Sequence, residues 1–300
     1  MTRTRTTGIE WTQHTWNPFA GCSIHTPGCT HCYAMKLANR IEAMGTTASY
    51  DGTTRIVNGK AIWTGKINRG SDLTMRKPFT ISEPSIIFVN SMSDFWHENA
   101  QDEWRIEALG VMAATYHQYQ VLTKRPENIL PFLEKHELHI PDNVWIGATV
   151  ERGDFKHRID TLRRIPAKIR FISFEPLIGA IGPVNLDGIH WGIGGGESGG
   201  NSSRRCNYEW ATELRDEHER QGVAFFWKQW GMPRNNPLYF DDATRRRAVE
   251  ASRPGFKGPL PRLAPGLWIE TFDPVGKGGS KIDGVEWKEY PEFLPQAQLF

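Results

Sequence analysis

Apolar residues recur along this chain in two rhythms. Short, continuous apolar runs at 85–89, 119–122, 144–148, 169–172, 189–193 and 223–226 predict buried strands. Between them lie stretches spaced for one helical face: 102–116, with Trp104, Ala108, Val111, Met112 and Thr115 on that face, then 126–136, 154–164 and 208–221. Pro131 must kink or shorten the second of these. A first strand is expected across 9–12 and 14–17, which brings the count to about seven. Continuous apolar strands with helical crossovers predict a parallel sheet covered on both faces. The expected fold is α/β, a partial or near-closed parallel barrel of six or seven β/α units. A doubly wound open sheet is the alternative, although no G-x-G-x-x-G follows the first strand.

The same periodicity continues past Cys32. Ala34, Leu37, Ala38, Ile41 and Met44 predict an apolar helical stripe, and Gly45 is placed to stop it. Residues 46–80 read as an insertion into the barrel. Within it, 54–57 and 60–63 flank Asn58-Gly59, the signature of a hairpin with a type I′ turn. Lys60, Lys66, Arg69, Arg76 and Lys77 make the insertion basic, so it is either a solvated decoration or an edge that contacts phosphate. From 232 onward Pro, Gly and Arg accumulate, including Arg245-Arg246-Arg247, before Leu267-Trp268-Ile269-Glu270 and Val285-Glu286-Trp287. The expected organisation is a barrel over 9–231 and a C-terminal extension, 232–300, wrapped onto it.

Composition adds bounds. The 300 residues carry a net charge of +2, too balanced to argue for nucleic acid by itself, and 39% hydrophobic content suffices for a core. Twelve Trp is a high count; core packing must take part of it, a stacking surface is open to the rest, and the sequence does not divide them. No run of 18 apolar residues exists, and Met1-Thr2-Arg3-Thr4-Arg5 lacks the apolar stretch of a secretory signal. The expected location is cytoplasmic, where reduced thiols serve metals or clusters rather than disulfides.

Three of the four cysteines, Cys22, Cys29 and Cys32, lie within eleven residues in a C-x6-C-x2-C pattern. Thiolates are soft ligands for zinc, Cu(I) or iron–sulfur clusters. Pro27-Gly28 turns the loop before Cys29, and the helix that follows places Cys29 and Cys32 at an N-terminus, which should lower their thiol pKa. Two readings follow. A closed zinc site would recruit His25, His31 or Cys206 as fourth ligand, in a nucleic-acid-binding protein whose Trp and Lys/Arg supply stacking and phosphate contacts. An iron–sulfur cluster on three thiolates would instead leave one iron open to substrate or cofactor.

The cysteine loop resembles that of the radical S-adenosylmethionine (SAM) superfamily, with a first gap longer than the usual C-x3-C-x2-C. A narrower resemblance rests on Asn17-Pro18-Phe19-Ala20-Gly21-Cys22, Ser91-Met92-Ser93-Asp94, Leu122-Thr123-Lys124-Arg125-Pro126, Phe174-Glu175-Pro176-Leu177, Gly194-Gly195-Gly196-Glu197-Ser198-Gly199 and Phe226-Trp227-Lys228-Gln229-Trp230-Gly231. These segments look like the phage and bacterial three-Cys-motif family, over residues 9–291. The resemblance implies a radical-SAM barrel and a [4Fe–4S] cluster on Cys22, Cys29 and Cys32, with SAM on the open iron. It also implies a reductant such as flavodoxin or ferredoxin and a separate three-Cys-motif partner protein. It supplies no substrate; the basic insertion and the Trp count favour a nucleobase in DNA or RNA, undergoing repair or modification, over a small metabolite or a peptide.

In a parallel barrel chemistry collects where strands end. Asn90, Ser91, Ser93 and Asp94 follow the second strand, where by analogy the SAM amino group is held and Asp94 would counter it. Lys124 after the third is placed to meet the SAM carboxylate or the substrate; Arg125 reads as a helix cap. Glu151 and Glu175 follow the fourth and fifth, suited to ribose hydroxyls or proton exchange, or else to salt bridges. Gly194, Gly195 and Glu197 form a glycine-dense loop that lets main chain approach a ligand. Lys228 between Trp227 and Trp230 is a candidate to close the pocket. Cys206 is a buried small hydrophobe, a fourth metal ligand, or a hydrogen-atom donor to a substrate radical.

Overall fold

A computed structural model describes residues 7–198, 202–232, 235–236 and 277–292, together with the backbone of 262–264 and 267–268. The protein is a mixed α/β fold with a seven-stranded parallel sheet. Its strands are β1 (His14–Trp16), β2 (Ile86–Val89), β3 (Gln118–Thr123), β4 (Val144–Thr149), β5 (Arg170–Phe174), β6 (Trp191–Gly194) and β7 (Ala224–Trp227). They lie side by side in sequence order. A doubly wound sheet must reverse its strand order at a switch point. This one does not, so the open-sheet alternative is excluded and the winding is that of a β/α barrel wall.

The first strand is shorter than the apolar pattern implies. Residues 9–12 form a turn whose Thr12 hydroxyl donates to Ile86 O at 3.0 Å, and only His14–Trp16 pairs with β2. Chain direction then changes at Pro18, and Phe19–Ala20 pairs antiparallel with Asn68–Arg69 of the insertion.

The chain divides into two compact units, one of Met1–Thr149, His157–Ile172 and Glu292–Phe300, the other of Val150–Lys156 and Ser173–Pro291. In the first, helix α1 (Tyr33–Met44) follows the cysteines and ends at Gly45, which adopts the left-handed conformation its position predicts. Its buried side is narrower than expected: Ala34, Met35 and Ala38 pack inward, whereas Leu37 and Met44 are 38% and 65% exposed. The hairpin Thr54–Val57 with Lys60–Trp63 forms as predicted, with Asn58 and Gly59 both at positive φ, and it buries Trp63 against α1. Helix α2 (Asp102–Ala113) stops before Thr115, whose hydroxyl caps the carbonyls of Val111 and Met112. Pro131 shortens helix α3 (Ile129–His136) rather than kinking it, because it stands in the first turn, where a missing N–H forfeits no intrahelical bond. Helix α4 (His157–Arg163) is the last described helix of this unit. Aromatic rings run through the core from Phe19 to Phe95, Trp96 and Phe132 at 5.1–5.4 Å between neighbouring centroids.

In the second unit, helix α5 (Tyr208–Gln221) packs under β6 and β7. The tail adds to the edge of β7: Trp227 N–H donates to Trp287 O at 2.8 Å and Glu289 N–H to Phe225 O at 3.1 Å. Arg245–Arg247, Ile269-Glu270, Gly199 and Gly200 lie outside the described residues. The backbone of Arg262–Ala264 pairs antiparallel with Leu267–Trp268.

The described tryptophans are buried or half-buried. No Trp among the described residues is exposed; Trp16, Trp96, Trp191, Trp227 and Trp230 are all essentially inaccessible. Continuous apolar strands covered by helices use the large rings as filler, which leaves none of these for stacking on solvent-borne ligands.

Candidate cysteine-loop site

The cysteine loop leaves the C-terminal end of β1, and the groups named here that fix it belong to the first unit. Gly21 pairs with Ser93 in an isolated parallel bridge, and its N–H donates to Met92 O at 3.2 Å. Its φ is +99°, and a Cβ there would overlap Lys66 O. Only glycine lets the backbone of the insertion approach this closely. Immediately after it, Gly65 N–H donates to Cys22 O at 3.1 Å, and Asn99 Nδ2 donates to Gly65 O at 2.8 Å. Residues 46–80 are therefore stitched to the loop, not a detached decoration. Arg69, one of the residues that make the insertion basic, is committed to Glu107 at 2.7 Å and Asp72 at 2.8 Å.

Behind the loop lies a buried polar network. Arg125 is 2% exposed. Its Nη1 donates to Asp94 Oδ2 at 3.0 Å, its Nε to Glu98 Oε2 at 2.6 Å, and its Nη2 to Ser23 Oγ at 2.7 Å. Asp94, 6% exposed, accepts besides from Thr123 Oγ1 at 2.6 Å, Trp96 N–H at 3.0 Å and Lys124 N–H at 3.1 Å. Ser23 also contacts His97 Nε2 at 2.9 Å. Because His97 Nδ1 accepts from Asn99 N–H at 3.0 Å, the proton resides on Nε2, which donates to the hydroxyl. Burial, then Arg125, pulls the His97 pKa down to about 4, so the ring is neutral near pH 7.

Asn17 Oδ1 accepts from Ser91 Oγ and Met92 N–H, both at 3.1 Å. Asn90 is left-handed, with φ +62°, and its side-chain Nδ2 is buried with no hydrogen-bond partner among the described residues; the same is true of Ser93 Oγ. Both orphans sit on the segment expected to hold the SAM amino group.

Cys32 departs from the helix-end expectation, and Cys22 moves the same way. Burial, then Asp94, pushes Cys22 up to about 12, against the opposing pull of Arg125. Cys32 is also raised, by burial, although the N–H groups of Ala34 and Met35 act in the lowering direction. The α1 N-terminus does what a helix end does, but desolvation outweighs it. Cys29 Sγ lies 3.6 Å from Thr26 Oγ1. Lys124 reaches close enough to Cys32 to favour its thiolate. Among the described residues no three His, Cys, Asp or Glu side chains stand converged as a metal would require. His25 and His31 are exposed.

In the second unit, Glu175 Oε1 pairs with Lys228 Nζ at 3.0 Å beside Gly195, where a Cβ would stand 2.8 Å from that same oxygen. Gly192 packs on His218, Gly194 on Trp227 and Gly196 on Trp230 O. The space these glycines create is filled by the protein itself. Glu197, 4% exposed, is bound by the Arg204 guanidinium and by Arg204 N–H at 2.9 Å. Glu151 is fully buried. Cys206 is buried too, which raises its thiol to about 12 and keeps the hydrogen on sulfur at neutral pH.

Cys22, Cys29, Cys32, Asp94 and Lys124 are thus gathered in one unit, and Glu175 with Gly195 in the other. Ser23 and His97 were not singled out in the sequence, and Asn17 entered only as part of a motif, since single polar residues in loops reveal nothing of long-range partners. Arg125 stood in one of the motif segments and was read there as a helix cap.

A family model described as a protein of unknown function (DUF5131) matches residues 6–291. No curated protein and no solved structure matches the chain.

Proposed function

Since the chain belongs to the DUF5131 family, whose description leaves activity open, we propose from the site that it is a radical SAM enzyme, with a [4Fe–4S] cluster held by Cys22, Cys29 and Cys32. The observation that carries the reading is the three-thiol loop at the end of β1 in a parallel sheet wound in sequence order. The donor set fits in kind and in number: three soft sulfurs, with no fourth cysteine in the loop. As the side chains stand they do not converge, so ligation must turn them toward one point. Cluster and SAM, when bound, supply one-electron cleavage of the sulfonium and hydrogen-atom abstraction by the resulting carbon radical.

The residues of the chain contribute placement. Arg125 and Ser23 anchor the backbone beside Cys22, and Gly21 and Gly65 hold that backbone against the insertion. Lys124 supplies positive charge near Cys32, which favours the anionic ligand state. Asn90 Nδ2 and Ser93 Oγ are buried polar groups whose satisfaction would reward a polar ligand. Glu175 and Lys228 are a paired acid and base suited to orienting polar substrate groups.

Anaerobic reconstitution tests the proposal. The wild-type chain should bind four iron and four sulfide and, with a reductant, convert SAM to methionine and 5′-deoxyadenosine. Cys22→Ala, Cys29→Ala and Cys32→Ala should each lose the cluster, whereas Cys206→Ala should keep it. Full iron and SAM cleavage in Cys22→Ala, or one tightly held zinc in place of iron, would overturn the assignment.

A further inference from the structure

The net charge of +2 conceals an uneven distribution. Residues 33–77 hold eight Lys and Arg against three Asp and Glu, a net of +5, so the remainder of the chain is net −3. Two of those three carboxylates are already engaged. Glu42 accepts from Gly52 N–H at 2.7 Å and Thr54 Oγ1 at 3.3 Å, and Asp72 pairs with Arg69. Lys36, Arg40, Arg55 and Lys60 remain exposed. On α1, Lys36 and Arg40 share the outer side with Tyr33 and Leu37, at three- and four-residue spacing.

Tyr33 is the distinctive member. It directly follows Cys32, its side is 57% exposed, and its hydroxyl donates to Ser91 O at 3.1 Å. An aromatic ring is thus held in a fixed position at the edge of the cysteine loop. It is an exposed phenol ring directly beside a loop cysteine, whereas no tryptophan side chain among the described residues is exposed. The hairpin with Arg55 and Lys60 packs on α1 and is tied to Cys22 through Gly65, so ring, cations and thiols share one frame.

We infer that the outer side of α1 and the adjoining hairpin bind single-stranded nucleic acid, with Tyr33 stacking on a base and Lys36, Arg40, Arg55 and Lys60 meeting phosphates. Cations beside a sequence-tolerant aromatic platform are the usual means of holding a single strand. A duplex offers no open base face to one ring, which is why the single strand is preferred. The inference deepens the radical-SAM reading by naming a substrate class, and it rests on that reading only in calling the strand a substrate.

Fluorescence anisotropy of the purified full-length chain with labelled 20-nucleotide single strands tests it, with iron measured on the same preparations. Lys36→Glu/Arg40→Glu and Arg55→Glu/Lys60→Glu should each weaken binding about tenfold or more at low salt and flatten the salt dependence, by a log–log slope of about 0.7 per lost phosphate contact. Arg164→Glu/Lys168→Glu, an equal charge change at exposed positions elsewhere in the same unit, should alter affinity less than about threefold. Tyr33→Ala should weaken binding about fivefold or more, with Tyr33→Phe intermediate, because stacking is retained and the anchor lost. Unchanged circular dichroism would show that the variants fold. Equal loss in the control variant, tighter binding of duplex, or equal binding of polyglutamate would overturn the inference. Strand binding by a preparation without iron would uphold the surface and count against the cluster; iron without strand binding would do the reverse.

Discussion

Arg125 Nη2 donates to Ser23 Oγ across 102 residues of sequence, at 2.7 Å. The same guanidinium is charge-paired with buried Asp94. One side chain therefore ties the residue after Cys22 to the loop after β2, and a fault in either should be felt by the other.

Arg125→Ala should cost about 3 to 5 kcal/mol, because it strands the Asp94 carboxylate in a buried site. Urea unfolding gives the number. Asp94→Asn combined with Arg125→Met should cost less than the sum of the single changes, since both charges then leave together. Strict additivity would show that the pair is not coupled.

Two glycines with positive φ should answer differently to alanine. At Gly45 a Cβ meets nothing within 4 Å, so only the left-handed backbone is penalised, at about 1 to 2 kcal/mol. At Gly21 the Cβ would overlap Lys66 O, adding about 1 to 3 kcal/mol of overpacking to the backbone cost. Thiol labelling kinetics should accelerate at Cys22 in Gly21→Ala and stay at the wild-type rate in Gly45→Ala.

His218 sets a pH dependence. The ring is fully buried against Gly192, and burial lowers its pKa from 6.5 to about 4. Between those values the unfolded chain binds a proton that the folded chain refuses, so stability declines as pH falls from about 6.5 to about 4 and is complete above that window. The loss approaches about 3 kcal/mol. In His218→Asn, which keeps a donor for Leu214 O and does not titrate, the denaturation midpoint should vary less across this range; an unchanged slope would assign it to other groups.

Glu175 and Lys228 are both partly exposed, so their 3.0 Å pair should contribute less than about 1 kcal/mol to folding. Glu175→Gln should leave the melting temperature within a few degrees of wild type. If the pair orients substrate, product formation should drop while SAM cleavage without substrate persists, and chromatography of both products separates the two effects.

Much of this was legible in the residues themselves. Alternation of continuous apolar runs with amphipathic stretches located six of the seven strands to within a few residues, because a strand buried on both faces must be apolar throughout. Gly45, and Asn58-Gly59, marked their turns because positive φ has few tolerant residues. The three cysteines announced themselves by spacing. Order within the sheet, by contrast, is a pairing between distant segments, and it came from the fold: strands laid down in sequence, with no reversal. The fold also decided that Leu37 and Met44 face outward while the tryptophans turn in, that the glycine run after β6 accommodates the protein's own rings and carbonyls, and that burial outweighs the helix end at Cys32. Arg125, Ser23, His97 and Asn17 belong to the same class. A hydrogen bond joins two residues without marking either, so a network spanning a hundred positions becomes visible only when the chain has brought its members together.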